Sequence, residues 1–404
     1  MNKLVDLPLD SVHRVREFHD ELRSIRQDLH RHPELGFEEH YTAEVVAKEL
    51  TRLGIEHHRG LGKTGIVGII HGQRTDSGRS VGLRADMDAL PIQEENEFAH
   101  KSTVAGKMHG CGHDGHTTML LGAARYLNAT KKFDGTVYLI FQPGEEGYAG
   151  ARAMMEDGLF ERFPADEIYA MHNWPGLPAG TIGLRPGPTM AAADRVSIHI
   201  EGRGGHGAHP HSSIDPVVVA AHIIVAAQSI VSRNVNPIDT AVISLCHINA
   251  GHQDAMSVIP REANIVGTVR TFKASTQDFI EQRLSELATS LATGFGAKAT
   301  VRYERVYPAT VNTQKEAEFA RDVAVELIGA DNVVWNLDPS MGSEDFSFML
   351  QKKPGAYVRL GQGGMESGCF LHNTKYDFND EVIPLGAGFL AALAERALPL
   401  AHGS

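Results

Sequence analysis

Five short apolar runs constrain this chain more than any other feature: Gly65 to His71, Ser80 to Ala85, Thr136 to Gln142, Glu167 to His172 and Ala356 to Leu360. They are rich in β-branched residues, and most are bounded by turn formers, as strands are. Helical periodicity precedes them at Tyr41 to Leu53 and lies between them at Gly115 to Ala129 and around Arg152 to Met155. This alternation predicts an α/β fold with a mostly parallel sheet covered by helices on both faces. In such sheets the ligand sits outside the carboxyl ends of the strands. Asp86 and Asp88, Glu145 and Glu146, and His172 all fall at such ends, so residues far apart in sequence are expected to converge.

Several of these positions carry metal-ligand chemistry. Cys111 and His113 stand two apart in the Gly-rich run Met108 to His116, just before a helical stretch, and in a turn that spacing can aim both at one point. Thiolate and imidazole suit zinc, manganese or similar divalent ions, and a thiolate can bridge two of them. Glu145 and Glu146 would repel one another unless one of them met a cation. Neighbouring side chains in an irregular segment diverge, so one can ligate an ion while the other faces water as general base. His372, in Gly368 to Asn373 after the last strand and its Gly361 to Gly364 loop, can reach the same sheet edge. Cys369 reads as packing, and Cys246, in mid-strand, as a small core hydrophobe.

Between about Arg185 and Pro308 the pattern changes to strand Arg195 to Glu201, helix Pro216 to Ser232, strands Ala241 to Asn249 and Glu262 to Phe272, helix Thr276 to Thr293 and strand Lys298 to Tyr307. That β-α-β-β-α-β order is ferredoxin-like. The α/β pattern resumes with a helix near Gln314 to Leu327, so the segment reads as an insertion. The expected division is 1–187 and 308–404 for the split catalytic domain and 188–307 for the insertion.

Bulk properties narrow the partners. A length of 404 residues favours more than one core, and a formal charge of −12 without a polybasic run argues against nucleic acid. Three cysteines without a C-x-x-C pair fit a reducing compartment, and the start from Met1 through Asp6 lacks an apolar leader core, so the cytoplasm is expected. The apolar stretch Val217 to Val231 is interrupted by His222 and Gln228, which predicts a buried helix rather than a membrane span.

The motifs together resemble a known family. Asp28 to Leu35 (DLHRHPEL), Arg84 to Pro91 (RADMDALP), His109 to Asp114 (HGCGHD), Gln142 to Glu146 (QPGEE), Gly204 to Ala208 (GGHGA) and Gly342 to Phe346 (GSEDF) are similar to those of the dimetal amidohydrolases related to aminoacylase. The nearest branch holds hippurate hydrolase, bacterial N-acyl-amino-acid amidohydrolases and plant indole-acetyl-amino-acid hydrolases. The resemblance spans about Arg26 to Ala391. It implies a zinc-peptidase-like catalytic domain with an inserted ferredoxin-like lid and dimerisation domain, assembled as a homodimer or homotetramer.

It also implies that Cys111, His113, Glu146, His172 and His372 hold one or two divalent ions (Zn²⁺, Mn²⁺, Co²⁺ or Ni²⁺), with Cys111 bridging and Glu145 as base. His206 would steady the oxyanion, in cis or from a partner subunit, ahead of its loop neighbours His209 and His211. Related peptidases have His-x-Asp where this chain has Asp86-Met87-Asp88. Asp88 is therefore assigned a supporting role in catalysis, and the role of Asp86 stays open. The implied reaction hydrolyses an N-acyl amino acid to a carboxylic acid and a free amino acid. The substrate carboxylate needs a cation, for which Arg270 is the candidate clamp, with Asn264 and Glu344 also lining the pocket. The alternative is a dipeptidase or carboxypeptidase-like activity on the same scaffold.

Overall fold

The computed structural model describes residues 10–364 and 369–400, so the start from Met1 and Gly368 in the run leading to His372 lie outside the described residues. The chain forms two compact units. One comprises the chain up to Thr189, Val311–Asp338 and the chain from Asp345; the other comprises Met190–Thr310 and Pro339–Glu344.

The first unit opens with helices α1 (Asp10–Arg16), α2 (His19–Arg31) and α3 (His40–Arg52), then strands β1 (Glu56–Leu61), β2 (Gly65–His71) and β3 (Ser80–Asp86). Helix α4 (His113–Thr130), β4 (Thr136–Gln142), α5 (Gly150–Glu156), α6 (Leu159–Arg162), β5 (Glu167–Pro175) and β6 (Ile182–Leu184) follow. Strand β7 (Gly187–Met190) leads into the second unit. There lie β8 (Ala192–Glu201), β9 (Gly205–His206), α7 (Pro216–Ser229), β10 (Ala241–Ala250), β11 (Val258–Ile259), β12 (Glu262–Thr271), α8 (Ala274–Gly294) and β13 (Lys298–Tyr307). Strand β14 (Thr310–Asn312) returns the chain to the first unit, followed by α9 (Gln314–Ile328), β15 (Val333–Trp335), α10 (Phe346–Leu350), β16 (Gly355–Gly363) and α11 (Ile383–Ala397).

The main sheet has eight strands in the order β1-β2-β4-β3-β5-β16-β6-β15. Its centre, β4-β3-β5-β16, is parallel throughout. The expected parallel sheet gains antiparallel members: β2 runs against β4 and β1, and β6 runs against β16. The cause is connection length. Only residues 72–79 join β2 to β3, too few for the crossover that parallel strands require. Every residue of β3 is buried, as expected of a strand covered on both faces. Helices α4 and α11 pack together on this sheet, and α11 is an apolar helix that the sequence reading did not single out.

In the second unit, β10-β12-β8-β13 form an antiparallel sheet, with α7 and α8 packed on it around Val196, Ile198, Ile223, Ile265, Ile280 and Leu284. Pro339–Glu344 joins this unit through a Met190–Ser340 bridge and hydrogen bonds from the Ala191 N–H to the carbonyls of Ser340 and Gly342. Two expectations need correction. Cys246 is exposed, because β10 ends the sheet and its register slips between Ser244 and His247. The helix expected to be buried covers the sheet with one side only: Val219, Ala220 and Ile223 are buried, while Val217, Val218 and Val225 are exposed.

Candidate metal centre

Strand ends and one helix start supply the site. Helix α4 begins at His113, and Gly112 before it has φ 92°, a left-handed conformation that favours glycine. A Cβ at Gly112 would also lie 2.4 Å from Asn173 Oδ1, so the turn presenting Cys111 and His113 tolerates no side chain there. Glu145 and Glu146 follow β4, and His172 lies in the carboxyl-terminal half of β5. His372, beyond the end of β16 in sequence, has φ 66°, and its backbone N–H donates to the Gly110 carbonyl at 2.7 Å.

These residues form overlapping sets whose ligand atoms all lie within 4.8 Å of one another: Cys111, His113 and His172; Cys111, Glu146 and His372; His113, Glu145 and Glu146. Cys111 Sγ is 3.4 Å from His172 Nε2, and His372 Nε2 is 3.1 Å from Glu146 Oε1. His172 Nδ1 donates to the Asn173 carbonyl at 2.7 Å, which leaves Nε2 as the lone-pair nitrogen facing Cys111. His113 Nε2 is buried with no hydrogen-bond partner among the described residues. Its one polar contact is Asp86 Oδ2 at 3.8 Å, and an imidazole nitrogen with no hydrogen bond, beside a thiol, two further imidazoles and a carboxylate, is a donor set that fits a divalent ion such as zinc or manganese.

Asp88 braces this set from behind. Its Oδ1 accepts the Glu145 backbone N–H at 3.0 Å and its Oδ2 accepts that of Glu146 at 2.9 Å, while Oδ1 also lies 3.3 Å from His113 Nδ1. Asp86 is already engaged: it accepts from Arg84 at 2.7 Å and pairs with His116 Nδ1 at 2.6 Å. Arg84 and Gln142 both donate to Asp345 Oδ1, and the Asp345 backbone N–H donates to Glu145 Oε1 at 3.3 Å. The Glu145 carboxylate is thus buried yet oriented.

Burial pushes the Cys111 thiol well up, and the carboxylates of Glu146, Glu145 and Asp86 push it further. Burial holds His172 well below its usual range. Burial would also lower His113, but Asp86 and Asp88 outweigh it and hold the ring up at about 10. Burial would raise Asp86, but His113, Arg84 and His116 keep it well below the usual carboxylate range.

Of the residues expected at the site, the first unit brings together Cys111, His113, Glu145, Glu146, His172 and His372, with Asp88 behind them. The second unit carries the others. His206 is exposed on β9, and the Ala208 N–H donates to its Nδ1, so the neutral ring bears its proton on Nε2. Asn264 accepts from His199 Nδ1 at 2.8 Å, Arg270 is half-buried with Nη1 lacking a hydrogen-bond partner among the described residues, and Glu344 is buried.

Other site residues went unassigned: His116, Arg84, Asp345, and a buried cluster in which His30 pairs with Asp114 at 2.8 Å and with Glu94 at 3.2 Å. The available signal was a charged residue inside an apolar run, as with Arg84 in β3.

Comparison with known proteins agrees with this geometry. The chain is 42% identical over 390 residues to a hippurate hydrolase of Campylobacter jejuni, covering 96% of this chain and all of that one. It is 38% identical over 406 residues to IAA-amino acid hydrolase ILR1-like 5 of Arabidopsis thaliana, covering 98% of this chain and 92% of the other. The crystal structure of Bacillus subtilis YXEP protein, described as a dinuclear metal binding peptidase from the M20 family, superposes with a TM-score of 0.82 at 34% identity, covering 95% of this chain and 99% of the other. The profile of Peptidase family M20/M25/M40 matches residues 82–396, most of the length, and the chain belongs to that family.

Proposed function

We infer that this chain is a metal-dependent amidohydrolase that cleaves N-acyl amino acids to a carboxylic acid and a free amino acid. The observation that carries the reading is the convergence of Cys111, His113, Glu146, His172 and His372 around a buried, oriented Glu145. Relatives named as a hippurate hydrolase and an IAA-amino acid hydrolase, matched over nearly their whole length, support the substrate class.

In this reading those five residues hold one or two divalent ions, with zinc, manganese, cobalt and nickel all compatible with a thiol, imidazole and carboxylate set. The chemistry supplied by a bound ion is Lewis acidity toward the acyl carbonyl and the attacking water. Glu145 Oε takes the water proton and later delivers it to the leaving nitrogen, one carboxylate serving as base and then acid. His206 donates from Nε2 to the oxyanion of the tetrahedral intermediate. Arg270, whose Nη1 has no partner among the described residues, clamps the substrate carboxylate, and Asn264 and Glu344 line its pocket. Asp88 positions rather than reacts.

Self-association through the second unit completes the proposal: β10 is an edge strand, and exposed Ile248, Val217, Val218 and Val225 lie on that unit. A reducing cytoplasmic setting suits a site that depends on the Cys111 thiol.

The test is to strip the protein with a chelator, restore Mn²⁺ or Zn²⁺ under reductant, and measure free amino acid released from N-acetyl, N-benzoyl and indole-acetyl amino acids and from dipeptides. Metal-restored release from the acyl substrates is expected. Release from dipeptides alone would replace the reading with a peptidase. Light scattering of the same protein is expected to give a dimer or tetramer.

A further inference from the structure

Glu39 caps α3, a position from which an acidic side chain ordinarily accepts backbone N–H groups of the first helical turn. Here those groups are taken: the N–H of Tyr41 and that of Thr42 donate to the Glu34 carboxylate at 2.9 and 3.0 Å. The Glu39 carboxylate is fully buried and turns inward instead. Its Oε1 accepts the Gly144 backbone N–H at 2.8 Å, and its Oε2 accepts the Thr64 hydroxyl at 2.6 Å. Gly144 immediately precedes Glu145, and its φ of 59° bends the chain sharply there.

Together with Asp88, Glu39 leaves three consecutive N–H groups, those of Gly144, Glu145 and Glu146, each ending on a carboxylate oxygen buried in the first unit. Two buried carboxylates at one turn repel, and a neutral amide could accept the same hydrogen bond without that cost. The return on the cost is a charge-assisted bond, shorter and stronger than a neutral one. Burial raises the Glu39 carboxyl, the Thr64 hydroxyl holds it back and the Asp88 charge raises it further, leaving it at about 7. Other charged groups nearby are engaged or exposed. Lys63, beside Thr64, is exposed with Nζ 4.3 Å from the Phe37 ring centroid, Asp157 accepts the Gly62 N–H, Glu38 pairs with Lys107, and His40 is exposed.

We propose that Glu39 is a positioning residue for turnover: as an anion it completes, with Asp88, a three-point grip on Gly144 to Glu146 and so sets the aim of Glu145. The proposal rests on the amidohydrolase reading above and adds a residue that acts through the turn without touching substrate or ion. Protonation of Glu39 weakens the hold on Gly144, so the grip is tight above about pH 7 and relaxes below it.

The experiment measures kcat and KM from pH 5.5 to 9 in metal-reconstituted wild type, Glu39→Gln and Thr64→Val, on the N-acyl amino acid that wild type hydrolyses fastest, with bound metal measured in each. Glutamine keeps the shape and an acceptor for Gly144 but stays neutral. Its kcat is expected to match wild type at pH 5.5 and to lie about tenfold below it at pH 8.5, the difference between a charge-assisted and a neutral hydrogen bond, with KM and metal content unchanged. Thr64→Val removes a hydroxyl that favours the anion, so the wild-type step in kcat is expected to move to higher pH with its plateau retained. A residue that served folding alone would not move that step. A second readout needs no turnover: in 15N-glycine-labelled protein the Gly144 amide resonance is expected to titrate through about pH 7 in wild type and to stay fixed in Glu39→Gln. Equal pH profiles in wild type and Glu39→Gln, or a Gly144 amide that does not titrate, overturn the proposal. Wild type that releases amino acid from no acyl substrate overturns the amidohydrolase reading and the catalytic role with it, a result distinct from turnover whose pH profile ignores Glu39.

Discussion

The carboxylate of Asp88 accepts the backbone N–H of Glu145 at 3.0 Å, so the residue behind the candidate ligand cluster also fixes the turn that carries Glu145. Its other oxygen accepts from the Glu146 N–H at 2.9 Å. An amide at this position would offer one acceptor oxygen and turn an NH₂ toward a backbone donor. Asp88→Asn is expected to lower kcat/KM and ion affinity by about 10- to 100-fold, the usual effect of removing a residue that orients metal ligands. Steady-state kinetics and competition with a chelator measure both, and wild-type values for both would remove Asp88 from the site.

Glu145→Gln separates the proposed base from the proposed ligands. It retains size and a hydrogen-bond acceptor for the Asp345 N–H but cannot take a proton. Turnover is expected to drop by roughly 10²- to 10⁴-fold, with metal content per subunit retained. Parallel loss of metal would mean that Glu145 is itself a ligand.

Strand positions and the residues at their ends were legible because period-2 apolar runs and turn formers report local conformation directly. Thr136 to Gln142 and Lys298 to Tyr307 match β4 and β13 residue for residue. Strand direction was not legible for β2, since it depends on which neighbour the strand finds in the sheet. The exposure of Cys246 likewise follows from β10 being an edge, a property of the assembled sheet rather than of the strand. At the site, Cys111 and His113 stood out by residue type. His30 and Asp114, 84 positions apart, did not, because an ion pair buried under a helix start has no sequence spacing to betray it.

That pair makes stability pH-dependent. Burial alone would lower the His30 pKa, but its hydrogen bonds to Asp114 and Glu94 outweigh it and raise the ring to about 9. The folded value lies above the unfolded one, about 6.5. The charged ring therefore stabilises the fold fully below about pH 6.5, by on the order of 3 kcal/mol, and that contribution fades as pH rises through 9. Urea unfolding at pH 6.5, 8 and 9.5 is expected to show the gap between wild type and His30→Gln narrowing with rising pH. A constant gap would mean that the ring does not titrate with folding.

Metal uptake should also move protons, and the count identifies the ligands. In the ion-free protein the Cys111 thiol is pushed well above its usual range by burial and the neighbouring carboxylates, and His113 is held at about 10, so both are protonated near neutral pH. His172, held well below its usual range by burial, is already neutral and has no proton to lose. An ion that binds Cys111 and His113 must displace a proton from each. Calorimetric titration of Zn²⁺ at pH 7.5, in buffers differing in ionisation enthalpy, is expected to report release of roughly two protons for the first ion, with affinity rising with pH. Cys111→Ser should lower the count by about one and weaken binding, because a serine hydroxyl is a poor ligand for such ions and does not ionise as readily as a thiol. Uptake without buffer dependence would exclude Cys111 and His113 as joint ligands of that ion.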